Sequence, residues 1–148
     1  MARLIHHVDL TVSDMARSRS FYEPVMRYLG YEVTRDSPRE VVFSHADRCA
    51  NTSVCLCTSK PGTWGKRHDR DAPGLHHLAF EAESREDVDG LHLLLQDLGA
   101  QVLDPPAFYH PPEYYAVFFA DPDGLKLELA FTPSAMPSWP PRAVETKT

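Results

Sequence analysis

The chain has 148 residues, 43% of them hydrophobic, enough for one compact interior or for two small modules sharing a core. Its 15 basic and 21 acidic residues leave a formal charge of −6, which argues against nucleic acid and anionic membranes as partners. No run approaches the roughly 20 apolar residues of a membrane span, the first residues enter a strand pattern without a secretory leader, and Cys49, Cys55 and Cys57, odd in number and with a C-x-C spacing, do not suggest a disulfide framework; the expected compartment is the cytoplasm.

Residues 4–12 alternate, with Val8, Leu10 and Val12 on one face and His7, Asp9 and Thr11 on the other. Ser13 or Asp14 then caps a helix whose apolar positions include Phe21, Tyr22, Val25 and Met26; Pro24 is placed to bend it and Gly30 to end it. Strands are expected at 31–35, 40–45 and 52–58, followed by a turn-rich, charged linker at 59–74. A second series follows: strand 75–82, helix 85–98, short strand 101–103, loop 104–112, strand 114–120, the turn DPDG at 121–124, and strand 125–131. Beyond residue 131 the pattern loses periodicity, and Pro133, Pro137, Pro140 and Pro141 mark a tail.

The two series repeat one another. IHHVDLTVSD at 5–14 matches LHHLAFEAES at 75–84, and LGYEV at 29–33 matches LGAQV at 98–102. The separations from His7 to Gly30 and from His77 to Gly99 agree within one residue. An internal repeat of this kind implies two β-α-β-β-β modules and sets two equivalent histidines in one molecule.

Alternation puts His7 opposite the apolar face of its strand and His77 opposite Leu78 and Phe80. Glu128 opposes Leu127, Leu129 and Phe131 in the last strand. With the apolar faces under the helices, His7, His77 and Glu128 are expected to face a shared cleft. Two imidazoles and a carboxylate leave open positions on a divalent ion. A lone strand histidine is most often solvated or hydrogen-bonded; here the repeat pairs two of them and Glu128 adds the carboxylate. His6 and His76, on the apolar faces, are expected to be partly buried packing residues. The aromatic-rich stretch 108–119 suggests a pocket for a planar substrate, with Phe119 and Trp64 as substrate contacts and Tyr115 beside Glu128 as catalytic groups; His68 and His110 are further acid-base candidates.

These residues resemble the vicinal oxygen chelate superfamily, which includes glyoxalase I, extradiol dioxygenases, fosfomycin-resistance thiol transferases, methylmalonyl-CoA epimerases and bleomycin-binding proteins. The resemblance rests on HVDLTVSD at 7–14, SFY at 20–22, HLAF at 77–80 and DPDGLKLE at 121–128, and it covers 4–131. It implies an α+β fold, two β-α-β-β-β modules (4–59 and 75–131, joined by 60–74) forming an open barrel-like cup as one domain over 1–131, with 132–148 as a Pro-rich tail. It also implies one divalent metal ion (Fe, Mn, Ni or Zn) on His7, His77 and Glu128, a small-molecule substrate bound through vicinal oxygens, and a homodimer. Glyoxalase I carries a further carboxylate ligand on the last strand of its first module. Residues 53–59 (SVCLCTS) hold no acid there, the matching position being Leu56 or Cys55. Dioxygenase-like chemistry is therefore the first expectation, glyoxalase-like isomerisation or thiol transfer the second, and metal-free drug binding the alternative from another class.

Overall fold

The alternating segments pair into two sheets of the same connectivity. The computed structural model describes residues 5–45, 52–62, 66–110 and 113–133. The first module comprises β1 (His7–Val12), α1 (Met15–Tyr28), β2 (Tyr31–Ser37), β3 (Glu40–His45) and β4 (Ser53–Thr58). The second comprises β5 (Leu78–Glu81), α2 (Arg85–Asp97), β6 (Gln101–His110), β7 (Tyr114–Ala120) and β8 (Lys126–Phe131). Strand order is β1-β4-β3-β2 in one sheet and β5-β8-β7-β6 in the other; each opening strand runs parallel to its neighbour and the rest are antiparallel. The expected paired β-α-β-β-β, α+β architecture is present, as two open four-stranded sheets rather than a closed barrel.

Both helices start on side-chain caps. The Asp14 carboxylate accepts from Arg17 N–H at the start of α1, and Ser84 with Asp87 forms a reciprocal capping box on α2. Pro24 lies inside α1 without ending it, and Gly30, at φ +81°, turns the chain into β2 as expected. Phe21, Tyr22, Val25 and Met26 form the buried stripe of α1; Val88, Leu91 and Leu95 form that of α2. The helices touch at Gly90, where an added Cβ would collide with the Tyr28 hydroxyl, which donates to Asp87 C=O at 2.8 Å.

One element departs from expectation. Residues 104–110, read as loop, continue β6, with register shifts near Asp104, Ala107 and Phe108. Pro105 and Pro106 are tolerated because β6 is the edge strand of its sheet, where a missing N–H breaks no inner ladder. The strand expected from residue 75 begins at Leu78.

A single apolar cluster joins the modules: Leu10, Val12, Val41, Phe43, Val54 and Leu56 from the first sheet, Val117, Phe119, Leu127 and Leu129 from the second, and the buried stripes of both helices. Phe21 and Phe119 meet across the modules with ring centroids 6.2 Å apart. The DPDG turn adds a polar clip. The Asp121 carboxylate accepts from the Tyr22 hydroxyl at 2.8 Å and from the N–H groups of Asp123 and Leu125 at 2.9 and 2.8 Å. Asp123 accepts from Ser13 N–H at 2.8 Å, from the Ser13 hydroxyl and from the Arg17 guanidinium at 2.6 Å.

Phe119→Ala is expected to lower unfolding stability by about 3–5 kcal/mol in urea titrations, as for any large buried ring; an unchanged midpoint would contradict its core position. Asp121→Ala strips the partner from one buried hydroxyl and two N–H groups and should cost about 1–3 kcal/mol. Burial raises the Asp121 pKa above its ordinary 3.8 despite its hydrogen bonds. The fold therefore favours the neutral acid, and that contribution is lost as pH rises through the raised value. The stability of the wild type relative to Asp121→Asn should fall with pH across that window, and a rising difference would refute the sign.

Candidate metal centre

In the second module, parallel pairing sets Ala79 opposite Glu128, and antiparallel pairing sets Phe118 opposite Glu128 on its other side. Ala120 pairs with Lys126 across the DPDG turn, so the even-numbered residues of β7 and β8 share the face that looks away from the core. That face carries Tyr114, Ala116 and Phe118 beside Lys126, Glu128 and Ala130. His77, just before β5, brings its Nε2 to 3.1 Å from Glu128 Oε2. The Tyr114 hydroxyl donates to Glu128 Oε1 at 2.5 Å. Glu128 is only 2% exposed, whereas the His77 side chain is 28% exposed. The carboxylate thus sits under its two partners with the imidazole at the rim. Burial, followed by the adjoining Glu128 carboxylate, raises the Tyr114 pKa well above that of an ordinary phenol, so Tyr114 remains a donor. Phe118 is flanked by Tyr109, edge-on with centroids 4.9 Å apart, and by Lys126 Nζ, 3.9 Å from its ring centre.

The expected ligands are brought together in part. His77 and Glu128 are adjacent, but His7 lies on the outer face of the other sheet. Among the described residues, the His/Cys/Asp/Glu group whose ligand atoms all fall within 4.8 Å of one another is Glu40, Cys55 and Cys57. The inner faces of both sheets share one core, which turns the two polar faces away from each other within the chain. The spacing of the pair fits a metal: two nitrogen or oxygen ligands at about 2.0–2.2 Å from one ion lie roughly 3–3.5 Å apart.

Three other expectations change. Tyr115 does not reach Glu128; its ring packs against the core and its hydroxyl donates to Asp89 Oδ1 at 2.8 Å, which leaves Tyr114 as the phenol at the carboxylate. The Ala120–Lys126 closing pair is the signal that would have chosen between the two tyrosines. Phe119 is fully buried in the core and lines no cleft, because it alternates with Phe118 on the opposite face. His6 and His76 are exposed, not packed inside, each with Nδ1 against its neighbouring histidine at 2.8 and 2.7 Å. Trp64, Cys49 and most of the tail lie outside the described residues, and His68 joins the inter-module clip, its N–H donating to Asp123 C=O.

In the first module, Asp9 pairs with Cys55 as Ala79 pairs with Glu128, and both follow a histidine by two residues. Cys55, rather than Leu56, therefore holds the position equivalent to Glu128; Leu56 is in the core. Burial, followed by the neighbouring Cys57, pushes the Cys55 thiol up to about 12.

The model of the Glyoxalase/Bleomycin resistance protein/Dioxygenase superfamily matches residues 4–129. The uncharacterized protein YqjT of Bacillus subtilis is 34% identical over 127 residues, 84% of this chain and 96% of YqjT. The 2,2',3-trihydroxybiphenyl dioxygenase of Sphingomonas paucimobilis is 29% identical over 127 residues; the match takes in 84% of this chain and 40% of that enzyme. A crystal structure of a candidate glyoxalase from Bacillus halodurans superposes with a TM-score of 0.74 at 31% identity, covering 86% of this chain and 95% of that one. With matching modules, matching topology and a family model spanning nearly all its strands and helices, the chain belongs to the Glyoxalase/Bleomycin resistance protein/Dioxygenase superfamily.

Proposed function

We propose that this protein is a divalent-metal enzyme that binds a small substrate through adjacent oxygens, with dioxygenase-like cleavage of a catechol-type diol as the first reaction to test. The observation that carries the reading is the buried Glu128 carboxylate, with His77 Nε2 3.1 Å from one oxygen and the Tyr114 hydroxyl on the other. Similarity to a 2,2',3-trihydroxybiphenyl dioxygenase supports the choice of reaction. In this reading a homodimer completes the centre, with His77 and Glu128 from one chain and His7 from a second copy. The outward-facing polar faces of the two sheets support that arrangement, since each carries one half of the expected ligand set. A divalent ion held there polarises two substrate oxygens and stabilises the negative charge that develops on them. Tyr114 fixes the rotation of the Glu128 carboxylate and keeps Oε2 toward His77. Phe118 and Tyr109 offer an aromatic wall to a planar substrate, and Lys126 adds positive charge next to that wall. Tyr115, on Asp89, takes no part.

Two measurements test this. Metal content after anaerobic purification should be near one ion per chain when Cys57→Ser removes the Glu40, Cys55 and Cys57 group from every chain compared, and should be lost when His7→Ala or Glu128→Gln is added. Co-expressing those two variants should restore about a quarter of that metal, because half the dimers are mixed and each mixed dimer holds one intact site. No recovery, with dimers shown to have mixed, would rule out a site shared between copies. Retention of metal in Glu128→Gln on that Cys57→Ser background would rule out the centre itself. Tyr114→Phe keeps the ring but removes the donor to Glu128, and metal affinity should fall by roughly 10- to 100-fold, as for other groups that orient a ligand; an unchanged affinity would remove Tyr114 from the site.

A further inference from the structure

The outer face of the first sheet gathers two thiols and a carboxylate. Alternation along β4 puts Cys55 and Cys57 on one side, and β3 pairs Glu40 with Cys57. Cys55 Sγ lies 3.6 Å from Cys57 Sγ and 3.5 Å from Glu40 Oε1. These are the edges of a tetrahedral zinc polyhedron: Zn–S near 2.3 Å and Zn–O near 2.1 Å set sulfur–sulfur at about 3.8 Å and sulfur–oxygen at about 3.5 Å. A disulfide suits the pair less well. Residues two apart on one extended strand have Cα atoms about 6.6 Å apart, near the upper limit for a bridge, and their side chains run side by side. Arg35 Nη1 donates to Glu40 Oε2 at 3.2 Å, which leaves Oε1 directed at the thiol. A depression lined by His7, Asp9, Arg35, Glu40, Ser44 and Cys55 gives an ion access from solvent.

We propose that Glu40, Cys55 and Cys57 form a second metal site, which takes Zn²⁺ or another thiophilic divalent cation and leaves its fourth position to water. On binding, each thiol gives its proton to solvent and ligates as thiolate. Two thiolates and a carboxylate around a dication carry one net negative charge, which the Arg35 guanidinium offsets. The site is complete within one chain and uses neither His77 nor Glu128.

Cobalt titration of the reduced, metal-stripped, full-length protein tests the proposal. Wild type, His77→Ala and Glu128→Gln should each develop thiolate-to-cobalt charge-transfer absorption that saturates at one such ion per chain and is bleached by Zn²⁺. Cys55→Ser and the half-buried Cys57→Ser should lose the band, and Cys49→Ser should keep it. Glu40→Gln should weaken binding by at least about tenfold, since even the loss of a group that only orients a ligand does as much. No thiolate band in the wild type, or a band that persists in folded Cys57→Ser, would overturn the site. A band lost in Glu128→Gln would overturn its independence and assign the thiols to the centre shared with the second module.

Discussion

One constraint organises this molecule: two sheets, each with a single apolar face, share one core. The burial that stabilises the fold comes from Val12, Phe43 and Leu56 on one side and from Val117, Phe119 and Leu127 on the other, with the helical stripes between. Each such side chain contributes about 1.5–3 kcal/mol when fully buried, and no alternative face could supply that. The polar faces are therefore committed to the outside. Chemistry in this chain has to be built on the surfaces that the core leaves behind, one on each module.

This constraint also explains which parts of the protein were legible in its sequence. Period-two alternation and the repeated His-His and Leu-Gly segments identify the two modules, their strands and their helices, because the same residues that define the pattern fill the core. The alternation also sets His7 and Glu128 opposite the apolar faces of their strands, with His77 just before β5. It does not say whether two outer faces meet, since that depends on how the modules dock, and docking is decided by contacts such as Phe21 on Phe119 and Tyr22 on Asp121. Choosing Tyr115 over Tyr114 failed for a smaller reason: one residue of uncertainty across a turn exchanges every side chain from one face to the other. Residues 104–110 were hidden by their prolines, which only an edge strand accommodates.

The DPDG turn shows how a segment can mark a family and still act locally as structure. Its two carboxylates look across to the first module, where Asp121 meets the Tyr22 hydroxyl and Asp123 holds the Ser13 backbone, next to the cap of α1. The turn thus fixes the start of α1 against the end of β7. It also sets the pairing of β7 with β8, on which the position of Glu128 beside Phe118 depends. A change in this turn would reach the candidate centre through register alone, without touching any residue in it.

The two modules differ in chemistry at one pair of equivalent positions. Glu128 and Cys55 are both at most 5% exposed, yet their requirements differ. A buried carboxylate loses far more hydration than a thiol and needs donors around it; a free thiol behaves as a small apolar group and needs none. The second module accordingly surrounds Glu128 with the Tyr114 hydroxyl and the His77 imidazole, whereas the polar neighbours of Cys55 are Cys57, the rim carboxylate of Glu40 and the Leu56 carbonyl. With the Tyr114 hydroxyl on one oxygen and the His77 imidazole beside the other, the carboxylate keeps lone pairs for further partners. Replacing such a buried charge by an apolar residue is often neutral or stabilising, so stability alone gives little reason to place one there, and the cation-binding role proposed above would supply the reason the packing does not.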